Sequence, residues 1–115
     1  MYIYDKANEL ARLIKESAEY KAYRQAKDAA FAEEKNKALV KDYKKMQFEA
    51  EAAYLSGKQP DTELTEKIKK LGEVLQFNKE VSAYFMAEYK FNTMISDIYK
   101  IIGDACDIGA DWLKD

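Results

Sequence analysis

The sequence predicts an all-α fold, an antiparallel bundle of about four long helices followed by a short C-terminal helix or tail. Three observations lead there. Proline occurs once and glycine four times in 115 residues, so little interrupts a helix. Apolar residues recur at spacings of three and four along nearly every segment. No segment alternates apolar and polar residues as a half-buried strand does. Hydrophobic residues make up 48% of the chain and charged residues 35%, a composition that favours a folded domain over disorder.

The elements follow in order. Between Tyr4 and Glu16, residues Ala7, Leu10, Leu13 and Ile14 fall at helical spacing. Ser17 either caps a new helix or sits inside one long one. Beyond it Tyr20, Tyr23, Ala26, Ala30 and Phe31 continue a stripe, and "EEKNK" at 33–37 reads as a loop or kink. Leu39, Tyr43, Met46, Ala50 and Ala53 then follow a 4-3-4-3 spacing, the seam of a helix packed against a near-parallel neighbour.

"SGKQPD" at 56–61 stops that helix. Gly57 suits a left-handed C-cap, Pro60 cannot continue a helix, and Asp61 can cap the next. So short a connection implies a helical hairpin. Leu64, Ile68, Leu71 and Leu75 mark the third long helix, with Gly72 inside it; close approach of another backbone would explain that glycine. Asn78 is placed to cap a last helix ending near Ile102, with Gly103 as its stop. The expected organisation is one domain over 1–115: a bundle over 1–103 and a tail over 104–115.

Two helices carry more apolar surface than one packed face requires. Phe48, Ala52 and Leu55 lie off the seam of the second long helix. The last helix is apolar on two overlapping sides: Val81, Phe85, Ile95, Ile98 and Ile102, then Tyr84, Ala87, Phe91, Met94 and Ile101. A surface helix of a monomer needs one stripe, so a homo-oligomer, dimer or tetramer, is expected. Phe48, Leu55, Tyr84, Phe91 and Met94 are the expected interface residues.

Catalytic chemistry finds little material. With no histidine, Ser-His-Asp and Cys-His nucleophiles and the Glu-x-x-His metal motif are unavailable. The four glycines are scattered, so there is no phosphate-binding loop. Asp104, Asp107 and Asp111 would share a helical face able to hold a hard cation, although a solvated acidic end is the simpler reading. Cys106 is the only cysteine, which excludes an internal disulfide and fits a reducing cytosol; a buried or incidental thiol is preferred. No metal or cofactor is expected.

The charge balance is 19 basic against 21 acidic residues, net −2, so any nucleic-acid contact must be a local patch. Lys37, Lys41, Lys44 and Lys45 form one: a possible RNA contact, more simply a solvated face. Tyr20 and Tyr23 read as wedges between helices rather than a partner groove. Trp112 reads either as an anchor docked on the bundle, the preferred reading, or as an exposed contact for a partner. "MYIYDKANELARLIKES" is charged by its fifth residue and no stretch approaches about 20 apolar residues, so a cytoplasmic protein with no membrane span is expected.

The opening "YDKANELARLIKESAEYKAYRQAKDA" resembles the start of the YlbF/YmcA family of small bacterial proteins, which includes YheA-type members. The pattern "A..L...I..S.EY..Y..A", a charged kink and a long "L...Y..MQ" helix come first. After "SGKQP" follows "LG..L..N..V..Y..AEY..N.MISDI...I", so the likeness spans about residues 2 to 102. Members of that family are all-helical, and no catalytic activity is attributed to them. Its better-known members complex with one another and with a further protein, as accessory factors of RNase Y. Through it they influence messenger maturation, competence, biofilm formation and sporulation. The resemblance thus implies a non-enzymatic helical regulator or scaffold that self-associates, with YlbF/YmcA-type proteins and RNase Y as partners. Some members carry a cysteine-rich tail associated with iron–sulfur binding; here Cys106 alone answers to it, so a cluster would need thiolates from several subunits.

Overall fold

The computed structural model describes residues 2–59 and 61–108. Five helices make up the described chain: α1 (Tyr2–Glu16), α2 (Ala18–Phe31), α3 (Glu34–Leu55), α4 (Thr62–Gln76) and α5 (Lys79–Cys106). No strand occurs among the described residues, so the all-α expectation holds.

Ser17 is the joint between α1 and α2. Its hydroxyl donates to the Ile14 carbonyl at 2.6 Å and accepts the Tyr20 N–H at 3.1 Å. One short side chain therefore closes the end of one helix and opens the next. The second break is tighter than "EEKNK" suggests. Only Ala32 and Glu33 separate α2 from α3, and Asn36 and Lys37 already lie in the first turn of α3. A loop across 33–37 is thus corrected to two residues.

The α3–α4 connection follows the expected chemistry. Gly57 has φ 76°; its N–H reaches Tyr54 O and that of Lys58 reaches Ala53 O, both at 3.0 Å. These two bonds satisfy the last carbonyls of α3 in the six-to-one, five-to-two pattern of a Schellman end. Asp61 Oδ1 accepts the N–H groups of Glu63 and Leu64 at 3.0 and 3.2 Å, which starts α4. Pro60 lies outside the described residues.

Gly72 faces the ring of Tyr43 rather than another backbone. A Cβ there would lie 3.1 Å from the Tyr43 hydroxyl and 3.3 Å from Cε1. The glycine in α4 is matched to an aromatic side chain on α3, which corrects the expected backbone approach.

Asn78 caps α5 as expected, its Oδ1 accepting the Val81 N–H at 3.1 Å. Gly103 does not end the helix; α5 runs on to Cys106. The left-handed residue is Asp107, φ 54°, and the Ile108 N–H closes the turn onto Gly103 O at 2.9 Å. Aspartate tolerates that conformation better than most residues with a Cβ.

The chain divides into two compact units, one of Met1–Tyr23 with Met86–Asp115, the other Arg24–Phe85. The second holds all the buried side chains among the described residues: Ala30, Val40, Leu75, Val81, Tyr84 and the polar Asn36. In the first unit Phe91 of α5 is gripped by two rings of α2. Tyr23 stacks on it at 5.1 Å and Tyr20 meets it edge-on at 5.6 Å. The two tyrosines therefore wedge helices together, as their spacing one turn apart suggests.

Candidate partner-binding surfaces

Of the expected interface residues, three are engaged within the chain. Tyr84 is only 2% exposed. The edge of Phe31 meets its ring at 5.4 Å, and the Lys44 ammonium donates to its hydroxyl at 3.2 Å while lying 5.1 Å from the ring centre. Phe91 is half-buried between Tyr20 and Tyr23, and Met94, one turn further on, is half-buried too. Phe48 and Leu55 are different: they are 73% and 76% exposed on α3.

The lysines divide similarly. Lys44 is committed to Tyr84 and Lys37 is half-buried, whereas Lys41 and Lys45 are exposed. A four-lysine stripe is not what α3 presents. It presents two lysines in line with Phe48, Ala52 and Leu55. At 3.6 residues per turn, positions 41, 45, 48, 52 and 55 fall within about a quarter of the helix circumference. The candidate RNA contact and the candidate apolar contact are thus one face, basic at one end and apolar at the other.

The unit holding α1 exposes apolar surface of its own. None of its described residues is buried. Along α1, Ile3, Leu10 and Leu13 are exposed, and only Ile14 is partly covered. Towards the end of α5, Ile98 is half-buried while Ile101 is 68% exposed, and Ile102 is exposed beside it. The α1 stripe of Ala7, Leu10, Leu13 and Ile14 was legible from spacing alone. That it would stay uncovered was not, because periodicity names a face and not its neighbour.

Asp104, Cys106 and Asp107 are all exposed, and no cluster of three metal-binding side chains occurs among the described residues. Asp111 and Trp112 lie outside them. No described helix is long and apolar enough to cross a membrane. A cavity of about 210 Å³ near the α3–α4 turn is lined by Ala53, Tyr54, Lys58, Asp61 and Leu64. The Asp61 carboxylate there already accepts the two N–H groups at the start of α4.

Among the described residues, five helices, buried side chains confined to one unit and two exposed apolar faces define a small all-helical protein. The chain belongs to the family described as control of competence regulator ComK, YlbF/YmcA, which matches residues 3–107. It is 37% identical over 112 residues to a UPF0342 protein of Symbiobacterium thermophilum, covering 97% of this chain and 100% of that one. A UPF0342 protein of Clostridium novyi is 37% identical over 107 residues, covering 93% and 94%.

Two solved structures share the fold. One is a protein of unknown function (DUF964) from Bacillus stearothermophilus, with TM-score 0.78 and 14% identity over 93% of this chain and 94% of that one. The other is Bacillus subtilis RicA in complex with RicF, with TM-score 0.61 and 22% identity over 92% and 94%.

Proposed function

We propose that this chain is a non-enzymatic helical regulator or scaffold that works by binding protein partners. On this reading it is an accessory factor linked to RNase Y-dependent RNA processing, and through it to competence, biofilm and sporulation control. The observation that carries the reading is the unit of α1 and the distal half of α5. None of its described residues is buried, and Leu10, Leu13, Ile101 and Ile102 are exposed. Exposed apolar side chains on both helices suit an interaction site. The family description names a regulatory role, and the fold neighbour RicA is held in a complex with RicF, which supports a protein partner for this chain.

Co-purification from the native host tests it, with the wild-type chain and Ile101→Asp compared against tagged YlbF/YmcA-type proteins and RNase Y. The expected result is retention of at least one by the wild type and its loss in the variant, with helix content unchanged. Retention of neither by the wild type at low salt would remove the reading.

A further inference from the structure

A single residue makes the break between the first two helices. α1 ends at Glu16, α2 begins at Ala18, and the chain bends at Ser17 between them. The Ser17 hydroxyl holds the bend by using groups that an unbroken helix would pair through its backbone. It donates to the Ile14 carbonyl and accepts the Tyr20 N–H. In an unbroken helix the Ala18 N–H would go to Ile14 O and the Tyr20 N–H to Glu16 O. The Ser17 N–H also turns to Ile14 O, at 3.1 Å, one residue short of its helical acceptor. Serine can offer the backbone this alternative, so straightening the joint would exchange hydrogen bonds rather than lose them.

What weights the bent form is then the packing of α1, and that is slight. No residue of α1 is buried. Ile14 is partly covered and Leu10 is 36% exposed, while Leu13 and Ile3 are 53% and 70% exposed. The bend also decides which way this stripe points. Ile14 and Tyr23 are nine residues apart, about two and a half turns, so an unbroken helix would set them on opposite sides. Ile3, Ala7 and Leu10 would side with Ile14, and Leu13 alone would fall in line with Tyr20. Tyr20 and Tyr23 are the rings that hold Phe91 of α5. Straightening would therefore carry most of the stripe away from the side on which α2 meets α5.

We propose that Ser17 is a hinge with two settings. In the bent one its hydroxyl caps α2; in the straight one α1 and α2 fuse and the Ile14 side of α1 turns outward. The bent setting is the major one in the free chain. The hinge lets the protein withhold or present an apolar stripe without unfolding. Its bearing on a partner rests on the partner-binding reading of this unit; the hinge itself does not.

Substitution at position 17 biases the settings in opposite directions. Ser17→Ala removes the cap and supplies the strongest helix former, which favours the straight setting. Ser17→Asp keeps an acceptor for the Tyr20 N–H and is poor inside a helix, which favours the bent one. Spin labels on Asp5→Cys and Lys21→Cys in the full chain, with Cys106→Ser, read the joint, since both sites are exposed. An unbroken helix places those two backbones about 24 Å apart at 1.5 Å per residue, and a bend shortens the distance. The ratio of long to short distances should rise roughly tenfold in Ser17→Ala and fall in Ser17→Asp.

A second arm reads the face. Ile14→Cys with Cys106→Ser should react with a maleimide severalfold faster when combined with Ser17→Ala than with Ser17→Asp. Circular dichroism checks that every variant folds. Coincident distance distributions in the wild type and both variants would overturn the hinge, and equal labelling rates would overturn the turning of the face. Neither readout involves a partner. Failure of co-purification therefore leaves the hinge standing, and failure of the hinge leaves co-purification standing.

Discussion

The side-chain amide of Asn78 donates to Asn36 Oδ1 at 2.9 Å, joining positions 42 residues apart. Asn36 is 6% exposed in the first turn of α3, and Asn78 uses its own Oδ1 to cap α5. One residue therefore starts a helix and ties that start to another, and no buried polar side-chain atom is left unpaired among the described residues. Asn78→Ala should lose the cap and strand the Asn36 amide, costing about 2–3 kcal/mol in chemical denaturation. Asn78→Asp should recover most of that, since Asn36 can turn its amide and donate to the carboxylate. Equal stability of the two variants would show that the pair contributes nothing.

Gly72 and Tyr43 form a matched pair in which the helix accepts a poor former to seat a ring. Alanine is favoured over glycine in a helix interior by about 1 kcal/mol, but here its Cβ would press on the tyrosine hydroxyl at 3.1 Å. The ring also leans on Phe85 at 5.8 Å, which restricts its retreat. Gly72→Ala alone should therefore change stability little. In a Tyr43→Phe background, without the hydroxyl, the same change should stabilise by about 1 kcal/mol. A double-mutant cycle on the urea midpoints reads the difference, and strict additivity would count against steric opposition.

How much of this was legible depends on what each signal encodes. Gly57, Asp61 and Asn78 were readable because caps are local chemistry, settled within five residues by which N–H or C=O lacks a partner. Gly103 misled for the same reason. A glycine is suited to end a helix but does not compel it, and Asp107 could take the left-handed turn instead. The outer face of α3 was in view as well, but in two pieces: lysines at 41 and 45, apolar residues at 48 and 55. Reading 41-45-48-52-55 as one 4-3-4-3 line would have joined them. Tyr84 was beyond reach, because whether a ring on a two-sided helix turns inward depends on Phe31 and Lys44, which lie far from it in sequence.

Phe91 holds α2 to α5 in a unit that has no buried residue to help it. Its ring is stacked on Tyr23 and touched edge-on by Tyr20, geometries worth about 0.5–1.5 kcal/mol per pair beyond area. Because the side chain is half-buried, Phe91→Ala should cost about 2 kcal/mol, less than the roughly 3–5 of a fully enclosed phenylalanine. The loss should appear first as faster hydrogen exchange in the start of α2, residues 18–23, and in distal α5, ahead of the Arg24–Phe85 core. Simultaneous exchange of both units at the slower rate would contradict the assignment of this contact as the first unit's main tie.

Gly57 and Asp107 end α3 and α5 in the same left-handed conformation with different side chains, which allows a direct comparison. At Gly57 a Cβ would meet nothing within 4 Å, so Gly57→Ala carries only the conformational penalty, about 1 kcal/mol. That loss should shift the global unfolding midpoint, because the turn connects the two helices of the hairpin. Asp107→Gly runs the other way and should relieve about 0.5–1 kcal/mol of the same penalty. It acts at a helix end that frays independently of the core, so global melting is the wrong measurement. The Ile108 amide, bonded to Gly103 O at 2.9 Å, is the local reporter, and its hydrogen exchange should slow severalfold in Asp107→Gly. Unchanged exchange would mean that aspartate holds the turn without strain; faster exchange would mean that its side chain helps to hold it.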